Sequence, residues 1–347
     1  MTLPDRRKRV TIKDVAYAAG VSTQTVSRVI NNVSYVSEGT RQRVETVVEK
    51  LGYRPSTLAR SLIQQRSYTL GIVTYGLKYI GPSRTLNGIA DMADQLGYML
   101  LMKEIDGFES TSIDEVLDSL LARQVDGILW AVPEIGSNCD WLSDRLASIP
   151  VPVLFLTMEP RSGAPSISTD NYQGAVMAVQ HLLDQGRKRI GHISGPLDWW
   201  EARERKRGWR ETLEKNGIDA SEYRCTEGNW SSASGEQAFI QLLKAFPYLD
   251  AVFVANDQMA LSVLRESHRQ DIQVPEQLAV VGFDNIPEAT FFYPSLTTIS
   301  QNPQLLGEQA IQNIVEMIQA RQENKPVVAT SSFIQPSLVI RESTRSV

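Results

Sequence analysis

Two spacings of apolar residues share this chain, and they divide it into a short head and a long body. In the head, Ile12, Val15, Ala16 and Ala19 recur at helical intervals, which predicts one buried stripe. Thr11 with Asp14 three residues on is a capping-box pattern that starts this helix, and Gly20 ends it. Ser22 then caps a second helix whose apolar face is Val26, Val29 and Ile30. A third stripe, Val44, Val47, Val48 and Leu51, closes at Gly52 and Pro55.

From Ser67 onward the pattern changes. Short apolar runs at 68–75, 98–104, 126–132, 151–157, 189–195, 250–257 and 278–284 read as strands. Helical stretches lie between them, such as 112–124, opened by a Ser112/Glu115 capping box. Near-continuous apolar strands alternating with helices predict parallel sheets buried on both faces. Some 280 residues is more than one such sheet usually carries, so two α/β lobes are expected.

Charge sharpens the division. The net charge is -5, yet residues 1–66 hold twelve Lys and Arg against five Asp and Glu. A basic head on an acidic body points to a polyanion as the head's partner; a solvated charged tail is the plainer alternative. The second helix favours the first reading, because Thr23, Gln24, Ser27, Arg28 and Asn31 form a face without a carboxylate. Such side chains reach base edges and phosphates, so residues 22–31 are expected to be the recognition helix of a helix-turn-helix.

Other chemistries find less support. The histidines, His181, His192 and His268, stand at no metal-ligand spacing, and there is neither a GxGxxG after a strand nor a GxxxxGK[ST] loop. No cofactor, metal or catalytic residue is therefore expected. Cys139 and Cys225 form no disulfide framework, the charged N-terminus is not followed by an apolar signal region, and no window spans a membrane. A cytoplasmic location is the expectation. The carboxylates Asp257 and Asp284 leave a glycoside hydrolase as one enzyme alternative.

The run TIKDVAYAAGVSTQTVSRVINN, followed by TRQRVETVVEKLGYRP, LARSL, VANDQMAL, VVGFD and LTTISQN, resembles the lactose-repressor (LacI/GalR) family in consistent order across nearly the whole chain, and its namesake most of all. The resemblance implies an all-α helix-turn-helix head and a two-lobed α/β body of periplasmic-binding-protein type with doubly wound parallel sheets. It implies domains at 1–55 (DNA-binding), 56–66 (hinge) and 67–347 (effector-binding and dimerisation). The first lobe would take 67–168 and 302–330, the second 169–300 and 331–347.

The resemblance also implies roles by position. Thr23, Gln24 and Arg28 match residues aimed into the major groove, and Thr11, Ser22, Thr25, Ser27 and Asn31 complete the DNA-binding set. In the hinge, Ser56 would cap a helix that forms on specific DNA, Arg60 would meet phosphate, and Leu62 would wedge between base steps. In the body, Arg205, Trp230, Asn256, Asp284 and Gln301 match effector-contacting positions, and Tyr75, Pro82 and Thr157 join them. Asp257 is assigned to helix capping instead. There are departures: Thr23 replaces a tyrosine, Thr157 an aspartate and Pro303 a phenylalanine. Trp199 and Trp200 stand for small polar residues, and Tyr75 for a serine.

The implied activity is that of a homodimeric repressor on double-stranded, pseudo-palindromic operator DNA, released by a small sugar or glycoside bound between the lobes. A purine or other metabolite acting as corepressor is the alternative. The chain ends at LVIRESTRSV without the namesake's terminal heptad helix, so a dimer and not a tetramer is expected, with no membrane partner.

Overall fold

In the computed structural model, which describes residues 10–30, 35–53, 66–105, 110–136, 138–326 and 330–345, the chain separates into two units, Met1–Tyr68 and Thr69–Val347. The head carries α1 (Ile12–Ala19), α2 (Thr23–Ile30) and α3 (Glu38–Leu51). Asp14 Oδ2 accepts both the backbone N–H and the hydroxyl of Thr11, at 2.8 and 2.7 Å, and so ties down the start of α1. Gly20 sits at φ 66°, a left-handed geometry that a side chain would strain, and this turns the chain into α2. Val15, Ala16, Ala19, Val26, Val29 and Val44 make the head's small core. The stripe expected for α3 runs out early, because Leu51 is exposed.

The body is built on two six-stranded sheets. The first takes β1 (Thr69–Thr74), β2 (Met99–Glu104), β3 (Gly127–Ala131), β4 (Val153–Leu156), β5 (Ser166–Thr169) and β11 (Ser331–Ile334), in the order β11-β5-β4-β3-β1-β2, all parallel. The second takes β6 (Ile190–Ser194), β7 (Cys225–Glu227), β8 (Ala251–Val254), β9 (Ala279–Asp284), β10 (Thr297–Ser300) and β12 (Ser337–Val339). Its order is β12-β10-β9-β8-β6-β7, with only β12 antiparallel. All seven strands expected from apolar runs are present. One boundary needs correction: residues 331–334, expected in the second lobe, pair with β5 in the first sheet. The chain crosses between lobes at 335–336, after β11 and before β12, not at 330.

Helices cover the sheets: α4 (Ile80–Gln95), α5 (Ser110–Leu121), α6 (Asn171–Asp184), α7 (Trp200–Lys215), α8 (Ser232–Ala245), α9 (Asp257–Arg269) and α10 (Pro303–Gln322). The stretch expected at 112–124 begins two residues early and ends at Leu121; the Ser112 side chain lies outside the described ones. Although α10 follows β10 of the second sheet, it returns to the first, where Gln304 Nε2 donates to Asp91 on α4. Trp130, Phe155 and Leu117 fill the first lobe, while Trp209, Phe253 and Phe283 sit on one face of the second sheet and Phe239, Val254 and Met259 on the other. Among the described residues no helix is long and apolar enough to cross a membrane.

Candidate DNA-reading helix and effector cleft

On α2, burial of Val26 and Val29 turns the opposite face outward. Thr23, Gln24 and Arg28 are exposed on it, Thr25 and Ser27 half-buried. No acidic side chain enters its first turn. Ser22 Oγ accepts the Thr25 N–H at 3.1 Å and lies 2.9 Å from the Thr25 hydroxyl, so this pair serves the helix end. Thr11 is likewise a cap residue, with both its donors on Asp14. The protruding face thus carries an amide, a hydroxyl and a guanidinium, the groups that pair bidentately with adenine and guanine or reach phosphate. Asn31, Ser56, Arg60 and Leu62 lie outside the described residues. Tyr17 and Tyr35, which the sequence pattern did not single out, are almost fully exposed.

In the body, a cleft forms where the carboxyl ends of the two sheets meet, as expected for ligands of open parallel sheets. Thr74, Ala131, Thr157 and Thr169 line it from the first sheet; Asn256 and Asp284 line it from the second, and Gln301 stands just past β10. Pro82, Arg205, Trp230 and Pro303 also face it. Tyr75 does not. Its ring packs on the first lobe's core and against Trp199, with centroids 6.3 Å apart, so Tyr75 backs the wall without forming it.

Arg205 is the buried pivot. Nε donates to Asn171 Oδ1 at 2.9 Å and Nη1 to the Ala255 carbonyl, while the guanidinium lies 3.8 Å over the Phe283 ring and 5.5 Å from that of Trp230. Asp284 Oδ1 faces Nη1 at 3.9 Å and accepts from Gln301 Nε2. Burial raises the Asp284 carboxyl to about 6, against the opposing pull of Arg205, Gln301 and Arg84. Burial raises Asp257 as well, to about 8, and the nearby Asp284 charge adds to it.

Two roles differ from expectation. Asn256, not Asp257, caps α9: its side-chain carbonyl accepts the Met259 N–H at 2.9 Å, and its amide donates to the Trp230 carbonyl at 2.9 Å. That leaves one amide hydrogen for anything in the cleft. Asp257 is the first residue of α9 and fastens the β9–β10 region, accepting the Ile286 N–H at 2.9 Å and the Thr298 hydroxyl at 2.6 Å.

Backbone strain gathers here. Thr157, Trp230 and Asp284 hold φ values of 61°, 71° and 118°, a region that non-glycine residues avoid. Below Trp230 lies Gly195, where any Cβ would run into the indole. Trp199 stands between Tyr79 of the first lobe and Trp230 of the second, edge-on to each at centroid distances of 5.8 Å. Its neighbour Trp200, also flagged by the sequence, is buried and outside the lining.

Beside this aromatic row the lobes are clasped. Ile135 and Trp199 form an antiparallel bridge, with Trp200 N–H donating to the Glu134 carbonyl and Gly136 N–H to the Asp198 carbonyl, both at 3.0 Å. Buried Glu134 pairs with Arg161 at 2.7 Å and with Arg203 of the other lobe at 3.8 Å. Neither the clasp nor Glu201, a buried carboxylate on the lining, was anticipated; Glu201 is hidden within the charged run EARERKRGW.

Two of the histidines pack within the fold, and His181 Nε2 lies 2.9 Å from the Thr344 hydroxyl. His192 is fully buried, stacked on Phe253 and Trp209, and burial lowers its imidazole to about 3, leaving it neutral. Among the described residues no group of three or more His, Cys, Asp or Glu gathers as a metal site would need.

Comparison with known proteins places these features. Residues 11–56 match the profile of bacterial regulatory proteins of the lacI family, and 179–344 a periplasmic binding protein-like domain. The chain is 34% identical to the lactose operon repressor of Escherichia coli (strain K12), over 97% of this chain and 91% of that protein. It is 32% identical to the HTH-type transcriptional repressor PurR of Vibrio atlanticus (strain LGP32), over 97% and 99%. A crystal structure of the lac repressor dimer bound to operator and the anti-inducer ONPF superposes with a TM-score of 0.86, 33% identity and coverage of 98% of this chain and all of that one. These relatives are DNA-binding transcriptional repressors and not enzymes, and this chain is a transcriptional repressor of the lacI family, with a DNA-binding head and an effector-binding body.

Proposed function

We propose that the chain is a cytoplasmic repressor that binds a pseudo-palindromic operator as a homodimer and is released by a small sugar or glycoside in the cleft. The division would be a head at 1–55, a hinge at 56–66 and a body from 67. The observation that carries the effector reading is the polar row Arg205–Asp284–Gln301 set against the Trp230 indole. Guanidinium, carboxylate and amide groups fix hydroxyls, and an aromatic face covers the apolar side of a sugar ring.

Dimerisation is supported by apolar side chains left at the surface of the body. Met99 and Met102 are exposed on the edge strand β2, and Phe291 and Tyr293 are 86% and 92% exposed after β9. Apolar groups on an open edge strand call for a cover. Sedimentation of the full chain checks this: a dimer mass is expected, and a monomer or tetramer would refute it.

The purine alternative rests on the row Tyr79–Trp199–Trp230, which suits a planar base. Thermal unfolding of the full chain with lactose, cellobiose, ribose and hypoxanthine separates the two. A ligand at about 100 times its dissociation constant adds about 2.7 kcal/mol. A shift with a sugar supports release by inducer, whereas a shift with hypoxanthine alone replaces it with corepression.

A further inference from the structure

Glu201 occupies the first turn of α7, one helical turn before Arg205, and lines the cleft. It is 8% exposed, its Oε2 accepts no hydrogen bond, and among the described residues no cationic group lies within 4 Å of its carboxylate. A buried carboxylate oxygen without a donor is costly, and the surroundings leave it so. The other buried carboxylates of this region have donors, Glu134 from Arg161 and Asp257 from Thr298 and Ile286, and half-buried Asp284 accepts from Gln301 at Oδ1. Among the described residues, Glu201 Oε2 is thus the carboxylate oxygen of the lining that is both buried and without a protein donor, and a ligand donor seated against it would supply one.

The charges of the wall restrict what brings that donor. Arg84 and Arg205 are the cations of the lining, and Glu201 and Asp284 its anions. Arg205 is already committed to Asn171, Ala255 and the facing Asp284. A phosphate or carboxylate entering here would meet two carboxylates and no uncommitted cluster of cations. A neutral ligand with hydroxyl groups meets an acceptor at Glu201 and a donor at the Arg205 side.

We propose that Glu201 is the specificity-determining acceptor of the cleft, selecting a neutral, hydroxyl-bearing ligand and rejecting its phosphorylated counterpart. The inference rests on the sugar reading above and adds to it the charge class and the residue that sets it. Burial, reinforced by Glu134, raises the Glu201 carboxyl to about 7; Arg205, Arg203 and its own backbone N–H oppose the shift. Asp284 and Arg84 are the other charged groups on the lining. A ligand hydroxyl favours the ionised carboxylate, so affinity should strengthen as pH rises through 7.

The test uses the full chain and titration calorimetry with lactose, cellobiose, ribose, glucose and glucose 6-phosphate between pH 6 and 8. The wild type is expected to bind a neutral sugar and not glucose 6-phosphate, more tightly at pH 8 than at pH 6. Glu201→Gln should weaken that binding about tenfold or more at pH 8 and flatten the pH profile. Its melting temperature without ligand shows that the variant is folded. Equal affinity of the variant and the wild type, preference for the phosphorylated sugar, or affinity falling as pH rises would each overturn the role of Glu201 while leaving a sugar cleft standing. Binding of no sugar by the wild type would overturn the reading beneath it and this proposal together.

Discussion

Arg205 Nη1 stands 3.9 Å from Asp284 Oδ1, within ion-pair range and beyond a hydrogen bond. Neighbours hold each partner: Asn171 and Ala255 take the guanidinium, and Gln301 takes the carboxylate. The gap is therefore built into the fold, and it sets a donor and an acceptor side by side on the cleft wall.

Lysine at position 205 keeps the charge but loses the planar fork. Arg205→Lys is expected to abolish the thermal shift produced by the cleft ligand and to leave operator binding without ligand intact. Operator titration with and without ligand checks this, and loss of both activities in a folded variant would refute the separation of head and body.

Arg28 is exposed on α2, so its removal should not unfold the head. Arg28→Ala is expected to cost about 1–3 kcal/mol on specific operator DNA, as loss of a bidentate base contact does. Fluorescence anisotropy with operator and scrambled duplexes reads it. An equal loss on both would make Arg28 a phosphate contact instead.

Burial raises the carboxyls of Glu201, Asp257 and Asp284. The folded state therefore keeps protons that the unfolded chain releases near pH 4. Between about pH 4 and 8 these three groups bind more protons in the folded than in the unfolded state, so their contribution to stability falls as pH rises across that window, while neutral His192 works the other way at its acid end. Glu201→Gln removes one such group. Its melting temperature relative to wild type should rise from pH 5 to pH 8, by an amount equivalent to at most about 3 kcal/mol. The same substitution is thus expected to stabilise the free protein at pH 8 while weakening its ligand.

A methyl group at Gly195 would collide with the Trp230 ring. Gly195→Ala is expected to destabilise the body by about 1–3 kcal/mol and to shift the indole out of the cleft. Denaturant unfolding and tryptophan emission measure the two effects, and a variant unchanged in both would show that the ring has room to move.

The elements legible in the sequence were those whose burial is written into composition. β3 (GILWA), β4 (VLFL) and β8 (AVFV) are apolar throughout, so their strand character needs no context. β5 (SIST) and β10 (TTIS) are as deeply buried but half polar, and only the fold shows them as strands. β11 and β12 are separated by two residues yet belong to different sheets, which local pattern cannot express. At the cleft, Arg205 and Trp230 were located through family likeness, since an arginine in a charged helix looks solvated. Glu201 escaped for the same reason. Tyr75 went the other way: it occupies a strand end, but packing against Trp199 keeps it from the lining.

The Ile135–Trp199 bridge bears on how such a molecule would answer rising ligand. Two main-chain hydrogen bonds are either made or broken, and the Glu134–Arg203 pair spans the same seam. Parting the lobes along this line would break both main-chain hydrogen bonds and the ion pair together, so the seam resists opening with backbone as well as side chains.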